Sequence, residues 1–198
     1  LIERLLESPD YVSHTYNHWA DVLRLAERPQ KNLVLEPYLA WIKDSIRRNR
    51  RYDEWVHEML TADGRTWENP AVGFRLRDDG MPLPYVDNTV RVLLGTQIGC
   101  AQCHDHPFDD WKQEQFWGYA AFFAGLKRDG NPDAGMMQIN AIEEALGPTQ
   151  LEIPLKGKSV TPTYFDGSQP TLGFRDSPRR ILANWMVSPE NGYFARTL

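Results

Sequence analysis

The residues that could do chemistry are concentrated in the run Cys100-Ala101-Gln102-Cys103-His104, which holds both cysteines of the chain. Two thiols separated by two residues lie about one helical turn apart, so they could add to the two vinyl groups of one porphyrin. The histidine that follows at once can offer a neutral imidazole nitrogen to the iron. The pattern therefore predicts a covalently attached haem c, with Cys100, Cys103 and His104 as its binding residues.

Two other kinds of site use the same residue types. A Cys-x-x-Cys pair could be a redox dithiol whose thiol pKa His104 lowers, or half of a zinc site. A structural zinc site usually recruits a second Cys or His pair, and the sequence has no further cysteine. A dithiol of the thioredoxin kind belongs to a βαβ unit, whereas the surrounding pattern is mostly helical. Haem attachment is therefore the favoured prediction.

The alternative is a haem-free zinc or iron metalloprotein, a hydrolase or lyase, built on the crowded nitrogen and oxygen ligands of the same run. Its ligands would be a thiolate with His104, Asp105, His106 and Asp109. A third interpretation is a structural module carried beside the catalytic part of a longer protein.

Further residues are predicted to support the haem. His106 and Asp109 are expected in its second shell, and Asp109 is also expected to start the next helix by accepting backbone N–H bonds. His18 is predicted as the second axial ligand, because it lies on an amphipathic helix with Asp21 three residues on to orient its imidazole. His18 and Asp21 could equally be a catalytic or substrate-binding pair facing an open iron. The other candidates for that position are His14, His57, Met59, Met81, Met136, Met137 and Met186.

Composition and charge limit the classes of protein. The chain has 198 residues, 41% of them hydrophobic and 25% charged, which is typical of a globular protein with a real core. A net charge of −5 without a long basic tract argues against nucleic acid as the main partner. The central apolar run over 119–124 is too short to span a bilayer.

The setting is predicted to be periplasmic or exported, because covalent haem attachment takes place outside the cytoplasm in bacteria. The sequence shows no signal peptide and starts at Leu1, so we expect a fragment whose targeting sequence is cut away or not present.

Helical periodicity dominates the first 150 residues. A helix is predicted to start at Ser8-Pro9 and to end at Arg28-Pro29-Gln30. Its apolar stripe consists of Val12, Tyr16, Trp19, Leu23 and Ala26. A second helix begins at Glu36-Pro37 and ends in a basic cluster that complements the helix dipole. Asp53 is expected to cap a third helix that carries Val56, Met59 and Leu60.

The motif itself is expected to lie between two helices. Residues 65–84, rich in Pro and Gly, are predicted to be loop, followed by a helix from Asn88 to about Ile98 that Asp87 caps. Asp109 or Asp110 would cap the helix after the motif, whose stripe is Phe116, Tyr119, Ala120 and Phe123.

The last third of the chain has a different pattern. A short helical turn is predicted over 141–146. The period-two signals over 151–165 predict a small hairpin, and Ser177-Pro178 predicts a last helix over 179–187.

The predicted fold class is mainly α: an irregular domain of five or six helices around the haem motif, with at most one small β-hairpin, after residue 150. The predicted domains are a helical cytochrome-like domain over 1–150 and, over 151–198, a hairpin and helix leading into a truncated second domain.

The sequence resembles the large exported planctomycetal proteins described as cytochrome-like and otherwise of unknown function. The resemblance covers nearly the whole chain. It rests on His18-Trp19-x-Asp21, Arg51-Tyr52-Asp53, Val86-Asp87-Asn88-Thr89, Leu94-Gly95, the run from Cys100 to Asp109, Trp111-x-Gln113, Ala120-Ala121-Phe122-Phe123, Asp176-Ser177-Pro178-Arg179 and Asn191-Gly192-Tyr193-Phe194-Ala195-Arg196.

What the resemblance implies is membership, a haem-type motif, an exported setting and a companion domain that begins near the end of this sequence. It implies no particular reaction. The expected function is electron transfer or haem-based redox chemistry, with a redox partner or a small-molecule or glycan substrate. The occurrence of such proteins in bacteria rich in polysaccharide-degrading systems suggests a link to glycan breakdown. The sequence lacks the distal methionine loop of ordinary cytochromes c.

Overall fold

The computed structural model describes residues 1–25, 33–78, 82–128 and 141–197. The mainly α fold class is confirmed, since about 53% of the protein is helical and its sheets are small and antiparallel. The chain forms two compact units, Leu1–Gly80 with Arg128–Glu143 and Met81–Lys127 with Glu144–Leu198. The predicted domain boundary at residue 150 stays a prediction.

The described residues form nine α-helices rather than five or six, because three of the nine have six residues or fewer. The helices are α1 Ile2–Leu6, α2 Pro9–Val22, α3 Glu36–Arg47, α4 Tyr52–Thr61, α5 Gly73–Leu76, α6 Pro82–Leu94, α7 Gln113–Ala120, α8 Pro178–Met186 and α9 Gly192–Thr197. Short 3₁₀ turns cover Pro70–Val72, Gly99–Gln102 and Ala121–Phe123. The strands are β1 Gly64–Arg65, β2 Leu126–Arg128, β3 Ala141–Glu144, β4 Leu151–Ile153 and β5 Lys158–Val160.

Helix α2 begins as the sequence predicts but ends earlier. The Ser8 hydroxyl accepts the backbone N–H of Tyr11 at 3.2 Å, and Pro9 occupies the first helical position. The helix ends at Val22 because Arg24 adopts a left-handed conformation and the next N–H groups bond back to the last turn. Ala26 and the predicted stop at 28–30 lie outside the described residues.

The basic cluster after α3 is neutralised by carboxylates. Arg47 and Arg48 pair with Asp44 at 3.4 and 2.9 Å. Arg50 pairs with Glu58 at 2.7 Å. The expected role of Asp53 as a cap is wrong, because Arg51 is the N-cap of α4 and Asp53 instead binds its guanidinium at 2.7 Å.

The prediction of a loop over 65–84 is wrong. This segment contains β1, the 3₁₀ turn Pro70–Val72, α5 and the start of α6. Its prolines begin helices instead of breaking them, because a first-turn residue has no intrahelical use for an N–H. Asp87 therefore lies inside α6 and does not cap it. That helix ends at Leu94, where Gly95 has a φ of 62°, and does not reach Ile98.

A strand replaces the helical turn predicted over 141–146. Strand β3 pairs antiparallel with β1, with Gly64 opposite Ile142. Ile142 is buried and Glu143 is exposed, which is the alternation of a strand. The expectation of no strand before residue 150 is therefore wrong. The later hairpin is confirmed, since β4 and β5 pair antiparallel from Leu151 opposite Val160 to Ile153 opposite Lys158.

Aromatic side chains form the core of the second unit. The predicted stripe of α7 and the following turn is buried: Phe116, Tyr119, Ala120 and Phe123. Tyr119 stacks on Phe165 with ring centroids 4.6 Å apart. The last predicted helix is confirmed as α8, with the Ser177 hydroxyl accepting the N–H of Arg180. In the part of the chain that the structure describes, no helix is long and apolar enough to cross a membrane.

Candidate functional site

The two cysteines lie on one short turn that begins directly after the buried Ile98. Residues Gly99–Gln102 form a 3₁₀ turn. The Cys103 N–H donates to the Cys100 carbonyl oxygen at 3.3 Å. Side chains three residues apart eclipse one another in such a turn, so Cys100 and Cys103 lie on the same side of it. Both side chains are exposed and neither is in a disulfide. Two free thiols are thus presented together to one ligand.

Helix α7 holds the turn through its buried side chains. The Nε2 group of Gln113 donates to the carbonyl oxygens of Gln102 and Cys103, at 3.2 and 2.9 Å. The indole Nε1 of Trp117 donates to the same Gln102 oxygen at 2.9 Å. Gln113 and Trp117 are 4% and 6% exposed, so the donors are buried and the bonds are partly shielded from water. The conformation of the motif is therefore tied to the core.

Asp105 takes the role that the sequence assigned to Asp109 or Asp110. Its Oδ1 accepts the N–H of Gln113, the first residue of α7, at 3.0 Å, and its Oδ2 lies 3.3 Å from Nζ of Lys112. The Gln113 N–H and the Lys112 ammonium both lower the pKa of the Asp105 carboxyl. Asp109 does not start the helix, because its Oδ1 accepts the N–H of Asp110 at 2.8 Å, within the loop. Its second-shell role stays a prediction.

The hydrogen bonds of the two motif histidines assign them different tautomers. Nδ1 of His104 lies 2.7 Å from the Asp105 carbonyl oxygen, which only accepts, so Nδ1 carries the proton. The Nε2 lone pair of His104 is then available to a metal. Nδ1 of His106 accepts the Phe108 N–H at 3.3 Å, so the proton of a neutral His106 ring is on Nε2. His104 is thus prepared as a ligand and His106 as a hydrogen-bond donor.

The position before Cys100 lies against a carboxylate. A Cβ at Gly99 would lie 2.7 Å from Oδ1 and 3.1 Å from Cγ of Asp87, which is half-buried on α6. A side chain at this position would therefore displace the end of the Asp87 side chain.

The donor set of the second unit fits a covalent haem. Two unpaired thiols share one side of a turn, and the adjacent imidazole has a free Nε2. Phe108, in the same loop, is 94% exposed, so apolar surface is available there to a flat apolar ligand. Among the described residues, no three His, Cys, Asp or Glu side chains are grouped as a preformed metal site. The alternative of a zinc or iron site stays a prediction.

The residues predicted for the second axial position belong mostly to the first unit. His18 and Asp21 are exposed on α2 and share no hydrogen bond in the described structure, while the His18 ring contacts Trp19 edge to face at 5.6 Å. Met59 and Met186 are buried, and Met59 Sδ accepts the Tyr38 hydroxyl at 3.3 Å, as a core methionine does. Met81, Met136 and Met137 lie outside the described residues. The role of His18 stays a prediction.

Three residues that build the site were not singled out for it from the sequence. They are Gln113, Trp117 and Asp105 in its role as helix cap. Gln113 is part of the resemblance, in Trp111-x-Gln113, but nothing in its spacing signals a bond to a carbonyl eleven residues earlier.

The fold and the site together define a mainly α-helical protein that presents a Cys-x-x-Cys-His turn to solvent. The chain belongs to PSCyt2, a protein family of unknown function (DUF1549), whose family model matches residues 1–128. The matched residues include the whole motif. A search of curated proteins found no match. A search of solved structures likewise found none. The companion domain that the sequence suggests stays a prediction.

Substituting Gln113→Leu should loosen the motif without changing its side chains. The variant keeps the volume but removes both bonds to the turn, so the free energy of unfolding should fall by about 1–3 kcal/mol. Amide hydrogen exchange at residues 102–105 should accelerate. Gln169→Leu is the matched control, because its amide bonds Thr163 on the exposed surface, and it should change the stability by less than about 0.5 kcal/mol. Equal effects of the two substitutions would contradict the role of Gln113.

Substituting Gly99→Ala should lower the free energy of unfolding by about 0.5–1.5 kcal/mol, because the new methyl group displaces the Asp87 carboxylate from its present rotamer. Adding Asp87→Ala should restore most of the loss, since it removes the overlapping atoms. Gly192→Ala serves as the control, because a Cβ there meets no atom within 4 Å. The measurement is chemical denaturation of the three variants and of the unsubstituted protein. A double variant as unstable as Gly99→Ala would show that Asp87 is not the obstacle.

Proposed function

We propose that the protein is an exported monohaem c-type redox protein. Cys100 and Cys103 hold the porphyrin through thioethers, and His104 is its proximal iron ligand. The observation that carries the proposal is the joint presentation of two free thiols and an imidazole with an available Nε2 on one exposed, rigidly held turn. Membership in a family of unknown function agrees with this role without specifying it.

The attachment chemistry needs only what the turn supplies. Each thiol adds across one vinyl group: a C–S bond forms, and the thiol hydrogen passes to the neighbouring vinyl carbon. No oxidant or reductant is consumed. The reaction requires that the two thiols are not joined to each other, and both are free. Their exposure leaves them open to the haem and to a maturation apparatus.

The ligand role of His104 is supported by its hydrogen bond. The carbonyl oxygen of Asp105 holds the proton on Nδ1, so that the ring needs no tautomeric change before Nε2 binds a metal. Asp105 is itself fixed by the first N–H of α7 and by Lys112. His106 carries its proton on Nε2 and supplies a hydrogen-bond donor beside the ligand.

A bound haem supplies one-electron redox chemistry, and its second axial position decides between electron transfer and reaction with peroxide, oxygen or a substrate. The protein's own contribution is the attachment, the proximal imidazole and an exposed site. His18 stays the candidate that the sequence predicts for the second axial position.

Protein matured with a haem-attachment system should carry one haem in its intact mass, and its pyridine haemochrome spectrum should have the band position of two thioethers. Cys100→Ser or Cys103→Ser should shift that band to the single-thioether position or release the porphyrin under denaturing conditions. His104→Ala should abolish the normal spectrum. Bare polypeptide mass in correctly matured protein would refute the proposal.

A further inference from the structure

A small cavity in the first unit lies where two segments far apart in the sequence meet. It has a volume of about 110 Å³ and is half-open to solvent. Its walls include the aromatic side chains of Trp19, Tyr52 and Trp55. Trp19 belongs to His18-Trp19-x-Asp21 and Tyr52 to Arg51-Tyr52-Asp53, and neither aromatic side chain has a role in the haem proposal. The cavity therefore needs its own explanation.

The three rings form one continuous aromatic wall. Trp19 and Tyr52 stack with centroids 5.0 Å apart and planes 27° apart. Trp55 lies 5.5 Å from Trp19 and 6.4 Å from Tyr52, tilted to both. Burial raises the pKa of Tyr52 to about 12, so its hydroxyl is neutral at any physiological pH. Such a wall can pack against a flat, weakly polar face of a ligand.

Polar groups border the wall and are held in place before any ligand arrives. Arg50 donates to Glu58 at 2.7 Å and lies over the Trp41 ring at 5.6 Å. The other Glu58 oxygen accepts Nε1 of Trp41 at 3.1 Å. Asn49 also lines the cavity, in the left-handed turn that ends α3. Because Glu58 offsets the Arg50 charge, this border offers hydrogen bonds without a net charge.

Trp55 contributes its ring to the wall. Its Nε1 is buried and makes no hydrogen bond within the described structure, and the side chain is only 4% exposed. The cavity thus combines an aromatic wall with a neutral hydrogen-bonding border.

The size of the cavity restricts the ligand further. A volume of 110 Å³ corresponds to about four water molecules, and an apolar cavity of roughly 150 Å³ is known to hold benzene. One six-membered ring that protrudes partly from the opening therefore matches the space. A polyhydroxylated ring can hydrogen-bond the polar side chains of Thr15 and Asn49, whereas an aromatic ring cannot.

We infer that this cavity binds one neutral pyranose ring of a saccharide, with its C–H face on the aromatic wall and its hydroxyl groups on the polar border. The inference uses no residue of the haem motif and does not depend on haem binding. Sugar binding and haem attachment are therefore tested separately.

The experiment is a titration of the full chain, followed by tryptophan fluorescence and by the indole N–H resonances. The probes are the methyl pyranosides of glucose, galactose, mannose and xylose, and the controls are cyclohexanol, which lacks most of the hydroxyl groups, and sorbitol, which lacks the ring. At least one glycoside should give a saturable shift of the Trp55 indole resonance with a millimolar dissociation constant, as one ring with a few hydrogen bonds allows. The two controls should give none.

Two variants test the aromatic wall and the polar border separately. Trp19→Ala should weaken binding at least tenfold, and Thr15→Val, which leaves the aromatic wall intact, should weaken it severalfold. Trp67→Ala is the matched control, because Trp67 is exposed and does not line the cavity. The inference is overturned if no glycoside gives a saturable shift up to about 100 mM, if cyclohexanol or sorbitol binds equally well, or if Trp67→Ala weakens binding as much as Trp19→Ala.

Discussion

The pair of hydrogen bonds from Gln113 to the carbonyl oxygens of Gln102 and Cys103 is the interaction on which the candidate site depends. A turn as short as Gly99–Gln102 leaves carbonyl groups that its own backbone does not satisfy, and their partial burial adds to the cost of leaving them unpaired. Gln113 satisfies two of them from a helix whose other side chains form the aromatic core. The reactive side chains can then be fully exposed while the backbone that carries them is rigid.

The polar contacts around the turn follow from that arrangement. The N–H of Gln113 is the first orphan donor of α7, and Asp105 accepts it from within the motif. Fixing Asp105 also fixes its carbonyl group, which sets the tautomer of His104. The first turn of α7 thus connects the aromatic core, the cysteine turn and the tautomer of His104. The Asp87 carboxylate lies against Gly99, where the chain enters the turn.

Local signals predicted the helices that begin at Ser8-Pro9 and Ser177-Pro178, because a capping hydroxyl and a first-turn proline act within a few residues. The hairpin over 151–160 followed from alternation alone. The pairing of β1 with β3 was missed, since two residues at 64 and 65 carry no periodicity and their partner is distant. Asp105 was missed as a cap because three nearby aspartates are equivalent in sequence and only the path of the loop distinguishes them. The cysteines and His104 were recognisable from their order, whereas Gln113 and Trp117 act across the fold.

The central claim is that the motif already has its haem-binding conformation in the haem-free protein. The most direct measurement is a long-range ¹H–¹⁵N spectrum of the histidine rings in haem-free protein at about pH 9, well above the ordinary pKa of histidine. The account predicts that His104 carries its proton on Nδ1 and His106 carries its proton on Nε2. A spectrum in which both rings carry the proton on Nε2, or in which His104 exchanges freely between tautomers, would contradict it.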